Sequence, residues 1–117
     1  MERDTGYLID MLVSAKLAVE YLEGTDKADF VTDVRTQDAV VRRLEIIGEA
    51  SRRLSEHGRA SLPDLPWHAM VSMRNLMIHE YDGVDYHMVW DTVKQDLPSL
   101  IQLLEKRLGK GATQRAL

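Results

Sequence analysis

Apolar residues recur along most of this chain at the three- and four-residue spacing of an α-helix, and no strand-like alternation persists. The clearest stripe lies near the start and contains Tyr7, Leu8, Met11, Leu12, Ala15, Ala18, Val19 and Leu22. Gly24 follows this stripe and is a typical helix stop. The pattern therefore predicts a first helix from Asp4 to Glu23 with one buried face.

A second apolar stripe predicts a long helix from about Asp33 to Glu56, preceded by a short turn around Asp26 to Val31. Its buried face consists of Val40, Val41, Leu44, Ile47, Gly48, Ser51 and Leu54. Gly48 costs a helix about 1 kcal/mol relative to alanine. A glycine on the buried face indicates that another helix approaches closely there.

The second half of the chain predicts further helices. Pro66 suits the first turn of a third helix, about Pro66 to Glu80, which Asp82-Gly83 ends. A fourth helix begins near Asp85 and buries Met88, Val89, Val93 and Leu97. Pro98 either kinks it or begins a fifth helix, whose apolar positions are Leu100, Ile101, Leu104 and Leu108.

Short connections between these elements predict an all-α, mostly antiparallel bundle of four to five helices. The length of 117 residues fits one domain. We place this domain at residues 1–109 and expect a flexible C-terminal tail at residues 110–117.

Composition narrows the possible chemistry. The chain has no cysteine, which excludes disulfides and thiolate metal sites, and its four histidines lack the spacing of a metal motif. We therefore expect no metal and no cofactor. With 19 acidic and 15 basic residues the net charge is −4, so nucleic-acid binding would need a local basic patch. Neither a signal peptide nor a membrane span is predicted.

The stretch MRNLMIHEY, residues 73–81, places a charged side chain in an apolar stripe. On an ideal helix Arg74 lies in the middle of the arc formed by its apolar neighbours. Arg74 could form a buried ion pair with a carboxylate such as Glu49, or extend outward to solvent, and spacing alone does not separate these readings. His79 alone is an ordinary residue for a last helical turn, and Tyr81 alone for the position just beyond it.

Taken together, these side chains suit cleavage of a phosphodiester bond without a metal. Arginine binds phosphate through two donors, histidine transfers protons, and Asn75 can donate a hydrogen bond or orient the imidazole. His79, however, points about 140° away from Arg74 on an ideal helix. An unwound helix end, or a second chain across a two-fold axis, would let both face one phosphate.

These residues resemble a known family. RNLMIHEY, residues 74–81, fits the R-x-x-x-x-H-x-Y signature of HEPN domains, and more narrowly that of the HepT-like toxins of bacterial and archaeal toxin–antitoxin pairs. RRLEIIGEASRRL resembles the family's long second helix, and LPWHAMVSMRN resembles the entry to its motif helix. HEYDGVDYHMVWDTV and DLPSLIQLL resemble the exit and the last helices. The resemblance covers about residues 5 to 108.

The resemblance implies a cytoplasmic, metal-independent ribonuclease that forms a homodimer, with the motifs of two protomers lining one cleft. It implies that Arg74 and His79 are catalytic, that Asn75 assists, and that Glu49 supports Arg74. It also implies a partner, a minimal nucleotidyltransferase of the MntA type, which transfers AMP to Tyr81 and silences the toxin. A larger hetero-oligomer with this partner is compatible with the same resemblance.

Two other functions remain open from the sequence. The chain can be a catalytically weak helical module that docks the nucleotidyltransferase, or it can be the antitoxin of the pair. The acidic net charge and the divergent directions of Arg74 and His79 favour the docking module somewhat. Arginines on the second helix could meet RNA phosphates or an acidic partner surface, although ion pairs of Arg42 with Glu45 and of Arg53 with Glu49 are the preferred reading.

Overall fold

The structure is a computed structural model, and it describes residues 2–70, 73 and 83–109. Every regular element within these ranges is helical. The elements are α1 (Glu2–Tyr21), α2 (Lys27–Phe30), α3 (Val34–Arg53), α4 (Glu56–Ala60), α5 (Tyr86–Asp91) and α6 (Leu97–Leu108), with a π-helical turn at Thr92–Asp96 between the last two. Residues 67–70 and 73 are also helical. The all-α class is thus confirmed for the described residues.

Side-chain caps explain where several helices begin. Asp26, Asp33, Ser55 and Asp85 each accept a hydrogen bond from the backbone N–H three residues later. Each bond satisfies one of the N–H groups that a helix leaves unpaired at its start. The predicted starts near residues 26, 33 and 85 therefore coincide with capping residues.

The core lies where α1 packs along α3 and against α6. The predicted stripe of α1 is confirmed, because Leu8, Met11, Leu12, Ala15, Ala18 and Leu22 are buried. On α3, Val40, Leu44, Ile47, Gly48 and Ser51 are buried as predicted.

Two contacts show how these helices run. Asp4 at the start of α1 contacts Ser55 just beyond α3, and Lys27 before α3 contacts Asp91 at the end of α5. Helix α1 is therefore antiparallel to α3.

The predicted end of the second helix needs correction. Helix α3 ends at Arg53, and Leu54 is extended with ψ of 144°. A separate short helix, α4, begins at Glu56, where the sequence predicted only the end of the long helix. The break occurs because Ser55 caps α4 while its N–H and hydroxyl both donate to Asp4. A contact from the other end of the chain thus sets this boundary.

The last helix contains both a confirmed and a wrong prediction. Pro98 lies in the first turn of α6, as expected for the start of a fifth helix. Proline has no N–H to donate to the carbonyl four residues earlier, and the π-helical turn covers those residues. Met88 was predicted to be buried, yet 46% of it is exposed.

Aromatic packing explains the exposure of Met88. The ring of Phe30 contacts Tyr86 at 6.3 Å and Trp90 at 5.7 Å between centroids. With Val89 these rings fix the inward side of α5, and Met88 falls on the other side.

Several predictions lie outside the described residues. The third helix is helical where it is described, at 67–70 and 73, but residues 71–72 and 74–82 are not described. The tail at 110–117 is also outside the described ranges. The number of long helices and the homodimer therefore remain predictions. Among the described helices, none combines the length and apolar character needed to cross a membrane.

Candidate active site

The four residues predicted to carry the chemistry, Arg74, Asn75, His79 and Tyr81, lie outside the described residues. The structure does describe the segments that lead into and out of their stretch. It also describes Glu49, the predicted supporting residue. The candidate site is therefore built from its frame.

The entry to the motif segment is held by Trp67. Its indole N–H donates to the carbonyl of Leu62 at 2.9 Å, and its backbone N–H donates to the carbonyl of Leu65 at 2.9 Å. The N–H of Met70 donates to the carbonyl of Pro66 at 3.0 Å, which is the first bond of a helical turn. This network fixes where the motif helix begins.

Arg59 joins this entry to the end of α3. Its guanidinium carbon lies 5.8 Å from the centroid of the Trp67 ring, a cation–π geometry. Its Nη2 donates to the carbonyl oxygens of Ser51 at 3.0 Å and Arg52 at 3.3 Å. These carbonyls belong to the last turn of α3, where helical partners are lacking. One arginine thus caps α3 and covers the tryptophan that starts the motif segment.

Two methionines anchor the motif segment to the core. Met70 and Met73 are almost completely buried, with exposed fractions of 0% and 2%. Burying a methionine side chain stabilises a fold by about 1.5–3 kcal/mol. The side of this segment that carries Met70 and Met73 is therefore occupied by the core.

The exit from the motif segment is a glycine turn followed by a cap. Gly83 has a φ of +79°, a backbone conformation that side chains with a Cβ seldom adopt. The side chain of Asp85 accepts a hydrogen bond from the N–H of Met88 at 3.2 Å and starts α5. The predicted stop at Asp82-Gly83 agrees with this geometry at Gly83, while Asp82 is outside the described residues.

Glu49 forms ion pairs on its own helix. Its Oε1 accepts from Arg52 Nη2 at 2.8 Å and from Arg53 Nε at 3.1 Å. Hydrogen bonds from Arg53 to Glu49 and to Tyr7 raise the pKa of the Arg53 guanidinium. The predicted pair of Arg53 with Glu49 is confirmed, as is that of Arg42 with Glu45 at 3.8 Å. The predicted support of Arg74 by Glu49 is not tested, because Arg74 is not described.

A polar cluster that the sequence did not predict joins the two ends of the α1–α3 pair. Asp4 is only 8% exposed, and its carboxylate accepts from the Ser55 N–H at 3.1 Å and the Ser55 hydroxyl at 2.5 Å. These two hydrogen bonds lower the pKa of Asp4. Gly58 lies so close that a Cβ there would be 2.6 Å from Asp4 Oδ2. The only local signal was Ser55, a good capping residue.

Metal ligands were also sought around this frame. Across residues 2–70, 73 and 83–109, no group of three or more His, Asp or Glu side chains could hold a metal ion. The described part of the site therefore offers hydrogen-bond donors and cations rather than a metal centre.

The frame belongs to a recognisable family. The model of the family described as "Ribonuclease HepT-like" matches residues 11–107, which include the whole motif segment and both of its flanks. The chain therefore belongs to the HepT-like ribonuclease family, a HEPN-type family, which places it among ribonucleases. The resemblance seen in the sequence is confirmed at this level.

Curated relatives agree with this assignment. A protein of Thermococcus cleftensis named "Probable ribonuclease HepT" is 43% identical over 100 residues, covering 86% of this chain and 91% of the relative. A protein of Methanocaldococcus jannaschii named "Putative RNase MJ1380" is 40% identical over 99 residues, covering 85% and 91%. A third, "Putative RNase TTE0752" of Caldanaerobacter subterraneus subsp. tengcongensis, is 36% identical over 110 residues, covering 94% and 98%. No solved structure matches the chain significantly.

Proposed function

We propose that this protein is the toxin of a toxin–antitoxin pair and cleaves RNA internally without a metal ion. One observation carries the proposal: the ribonuclease family match spans residues 11–107 and so includes Arg74 to Tyr81. The relatives named as ribonucleases are matched over most of their own length, which supports RNA as the substrate.

The proposed reaction uses the RNA's own 2′-hydroxyl as nucleophile. The 2′ oxygen bonds to the adjacent phosphorus, the bond from phosphorus to the 5′ oxygen breaks, and a 2′,3′-cyclic phosphate remains. His79 accepts the 2′ proton, and water protonates the leaving 5′ oxygen. Arg74 stabilises the charge that builds on the phosphoryl oxygens, and Asn75 orients the imidazole. No atom in this scheme requires a metal.

A homodimer completes the proposed site. Arg74 and His79 diverge by about 140° on an ideal helix, so one regular helix does not present both to a phosphate. The burial of Met70 and Met73 supports this reading, since the core occupies one side of the segment. A two-fold axis would bring Arg74 of one protomer near His79 of its partner.

The test is cleavage of a labelled RNA by the purified protein in EDTA. His79→Ala should lower the rate by about 10² to 10⁴, the range for loss of a general acid or base. His87→Ala is the matched control, because His87 is an exposed histidine on α5, and it should cleave like wild type. A His79→Ala protein as active as wild type would exclude the proposed mechanism.

Regulation through Tyr81 is a second part of the proposal. A nucleotidyltransferase antitoxin of the MntA type would transfer AMP to the Tyr81 hydroxyl, releasing pyrophosphate from ATP. The bulky anion would then stand beside the Arg74 phosphate site and repel RNA. Intact mass after co-expression should rise by one or more AMP units, and Tyr81→Phe should abolish the increase. An increase that persists in Tyr81→Phe would move the modification elsewhere.

The net charge of −4 favours one rival function, a helical module that only docks the nucleotidyltransferase. Expression of the chain without its partner separates the two. A ribonuclease toxin should arrest growth, and His79→Ala should relieve the arrest, whereas a docking module should leave growth unchanged. If the partner alone is toxic and this chain relieves it, this chain is the antitoxin.

A further inference from the structure

A groove runs between α4, the loop that follows it, and the last turns of α6. It consists of two adjoining hollows, of about 290 and 230 Å³, and Ser61 and Arg107 line both. We call it the α4–α6 groove. The loop that lines it leads directly into residues 67–70, so the groove lies beside the entry to the motif segment.

The larger hollow has an apolar floor and a cationic rim. Leu62, Leu65 and Leu103 line it, and all three are buried or half-buried. Lys106 and Arg107, both exposed, line the same hollow. A flat apolar surface next to a guanidinium suits a planar nucleobase with its phosphate.

The smaller hollow adds His57 to Arg107. The carboxylate of Asp4 also lines it, but Asp4 accepts both hydrogen bonds of Ser55 and is held in place by them. Asp64 is exposed on the wall of the larger hollow and opposes an anion on that side. The cations and the acid thus stand on different elements, with the cations on α6 and Asp64 on the loop.

The cations of α6 have no ion-pair partner within the described ranges. Glu105, their acidic neighbour in sequence, pairs with Lys16 of α1 at 2.8 Å. Lys106 and Arg107 also complement the dipole at the end of α6, which explains a positive charge at this position. The dipole does not explain the leucine floor beside that charge.

We propose that the α4–α6 groove binds single-stranded RNA outside the cleavage motif, with Arg107 and Lys106 on the phosphates and the leucine floor under a base. The proposal rests on the proposed function for the identity of the polyanion. It assigns to this acidic protein the local basic surface that RNA binding requires. Because the groove adjoins the motif entry, one strand can occupy both.

Binding of a strand that cannot be cleaved tests the groove directly. The probe is a fluorescein-labelled 2′-O-methyl RNA of roughly 12 nucleotides, within the range of single-strand site sizes. Its blocked 2′ oxygen prevents the proposed attack, and fluorescence anisotropy at several salt concentrations gives Kd. Arg107→Glu should raise Kd about tenfold and reduce the salt slope by about 0.7 for each phosphate that Arg107 neutralises.

The matched control is Arg35→Glu, which changes the charge equally at an exposed position in the first turn of α3. It lies at the end of α3 away from the groove, and its Kd should stay within about twofold of wild type. Equal effects of the two variants would reduce the result to net charge and overturn the proposal. Unchanged binding in Arg107→Glu would overturn it as well.

Two further arms separate the groove from other readings. Polyglutamate of the same net charge should compete poorly, and if it binds as tightly as RNA and loses binding in Arg107→Glu, the groove is an acidic-peptide site instead. For RNA cleavage, Arg107→Glu should raise KM and leave kcat unchanged. A wild-type protein that binds RNA through Arg107 yet never cleaves it supports the groove and refutes only the ribonuclease mechanism.

Discussion

The carboxylate of Asp4 accepts hydrogen bonds from the backbone N–H and the hydroxyl of Ser55, although 51 positions separate the two residues. Ser55 in turn caps α4 by accepting from the Gly58 N–H at 2.9 Å. The start of α1, the end of α3 and the start of α4 therefore meet at three residues. Four predictions test this cluster and the core beside it.

Removing the Ser55 hydroxyl should destabilise the fold. Ser55→Ala deletes the donor to Asp4 and the acceptor for Gly58, and loss of a serine cap costs roughly 0.5–2 kcal/mol. Urea unfolding measures the change in the free energy of unfolding. Ser99→Ala, at an exposed position of α6, is the control and should change it by less than about 0.5 kcal/mol. Equal effects of the two variants would show that the cluster contributes nothing.

The contribution of Asp4 should depend on pH. Hydrogen bonds from Ser55 lower its pKa below the ordinary value of 3.8, and the unfolded chain lacks these bonds. The stabilisation is therefore complete above about pH 5 and is lost as the pH falls through 3.8 towards the lower folded value. The difference in unfolding free energy between wild type and Asp4→Asn should narrow over that range.

The control for this pH dependence keeps the same aspartate. In a Ser55→Ala background the main cause of the lowered pKa is gone, so the same comparison at position 4 should depend less on pH. A wild-type difference that stays constant from pH 7 to about pH 4 would contradict the linkage.

Gly58 and Gly6 should respond in opposite directions to the same substitution. A Cβ at Gly58 would lie 2.6 Å from Asp4 Oδ2 and 3.0 Å from its Cγ, whereas nothing lies within 4 Å of a Cβ at Gly6. Gly6→Ala should therefore stabilise α1 by up to about 1 kcal/mol, and Gly58→Ala should destabilise the protein. Thermal unfolding reports both signs.

Relief by a second change completes the test at Gly58. Asp4→Ala removes the carboxylate that the new methyl group would strike, so the two substitutions should be less harmful together than their sum. Simple additivity in this double-mutant cycle would place the cost of Gly58→Ala elsewhere.

Two methionines provide a matched pair for the core. Met70 is fully buried and Met88 is 46% exposed. Met70→Ala should lower the free energy of unfolding by about 2–5 kcal/mol, because it leaves a cavity, whereas Met88→Ala should change it by less than about 0.5 kcal/mol. Chemical denaturation of both variants in one buffer gives the comparison, and equal losses would contradict the assigned burial.

The sequence predicted the long helices well because their signal is local. The stripes of α1 and α3 repeat along one helix face, and buried residues such as Met11 and Leu44 fall on them. The break at Ser55 depends on Asp4, which is distant in the chain, and the exposure of Met88 depends on rings packed against Phe30. Spacing within one segment carries no information about either contact.

The candidate site divides in the same way. Arg74, His79 and Tyr81 were found because their spacing is a short linear signature. The frame was not: nothing in the sequence selects Arg59, among many arginines, as the one that lies over Trp67 and caps α3. The cation pair of the α4–α6 groove was missed because Lys106 reads as an ordinary residue for a helix end.

The placement of the two tryptophans gives the motif segment natural optical reporters. Trp67 precedes the segment under Arg59, and Trp90 follows it under Lys94, whose Nζ lies 5.0 Å from the ring centroid. They are the chain's two indoles, so Trp90→Phe leaves a single emitter at the segment's entrance. Its emission wavelength and quenching would follow rearrangement of that entrance in real time, with no dye attached.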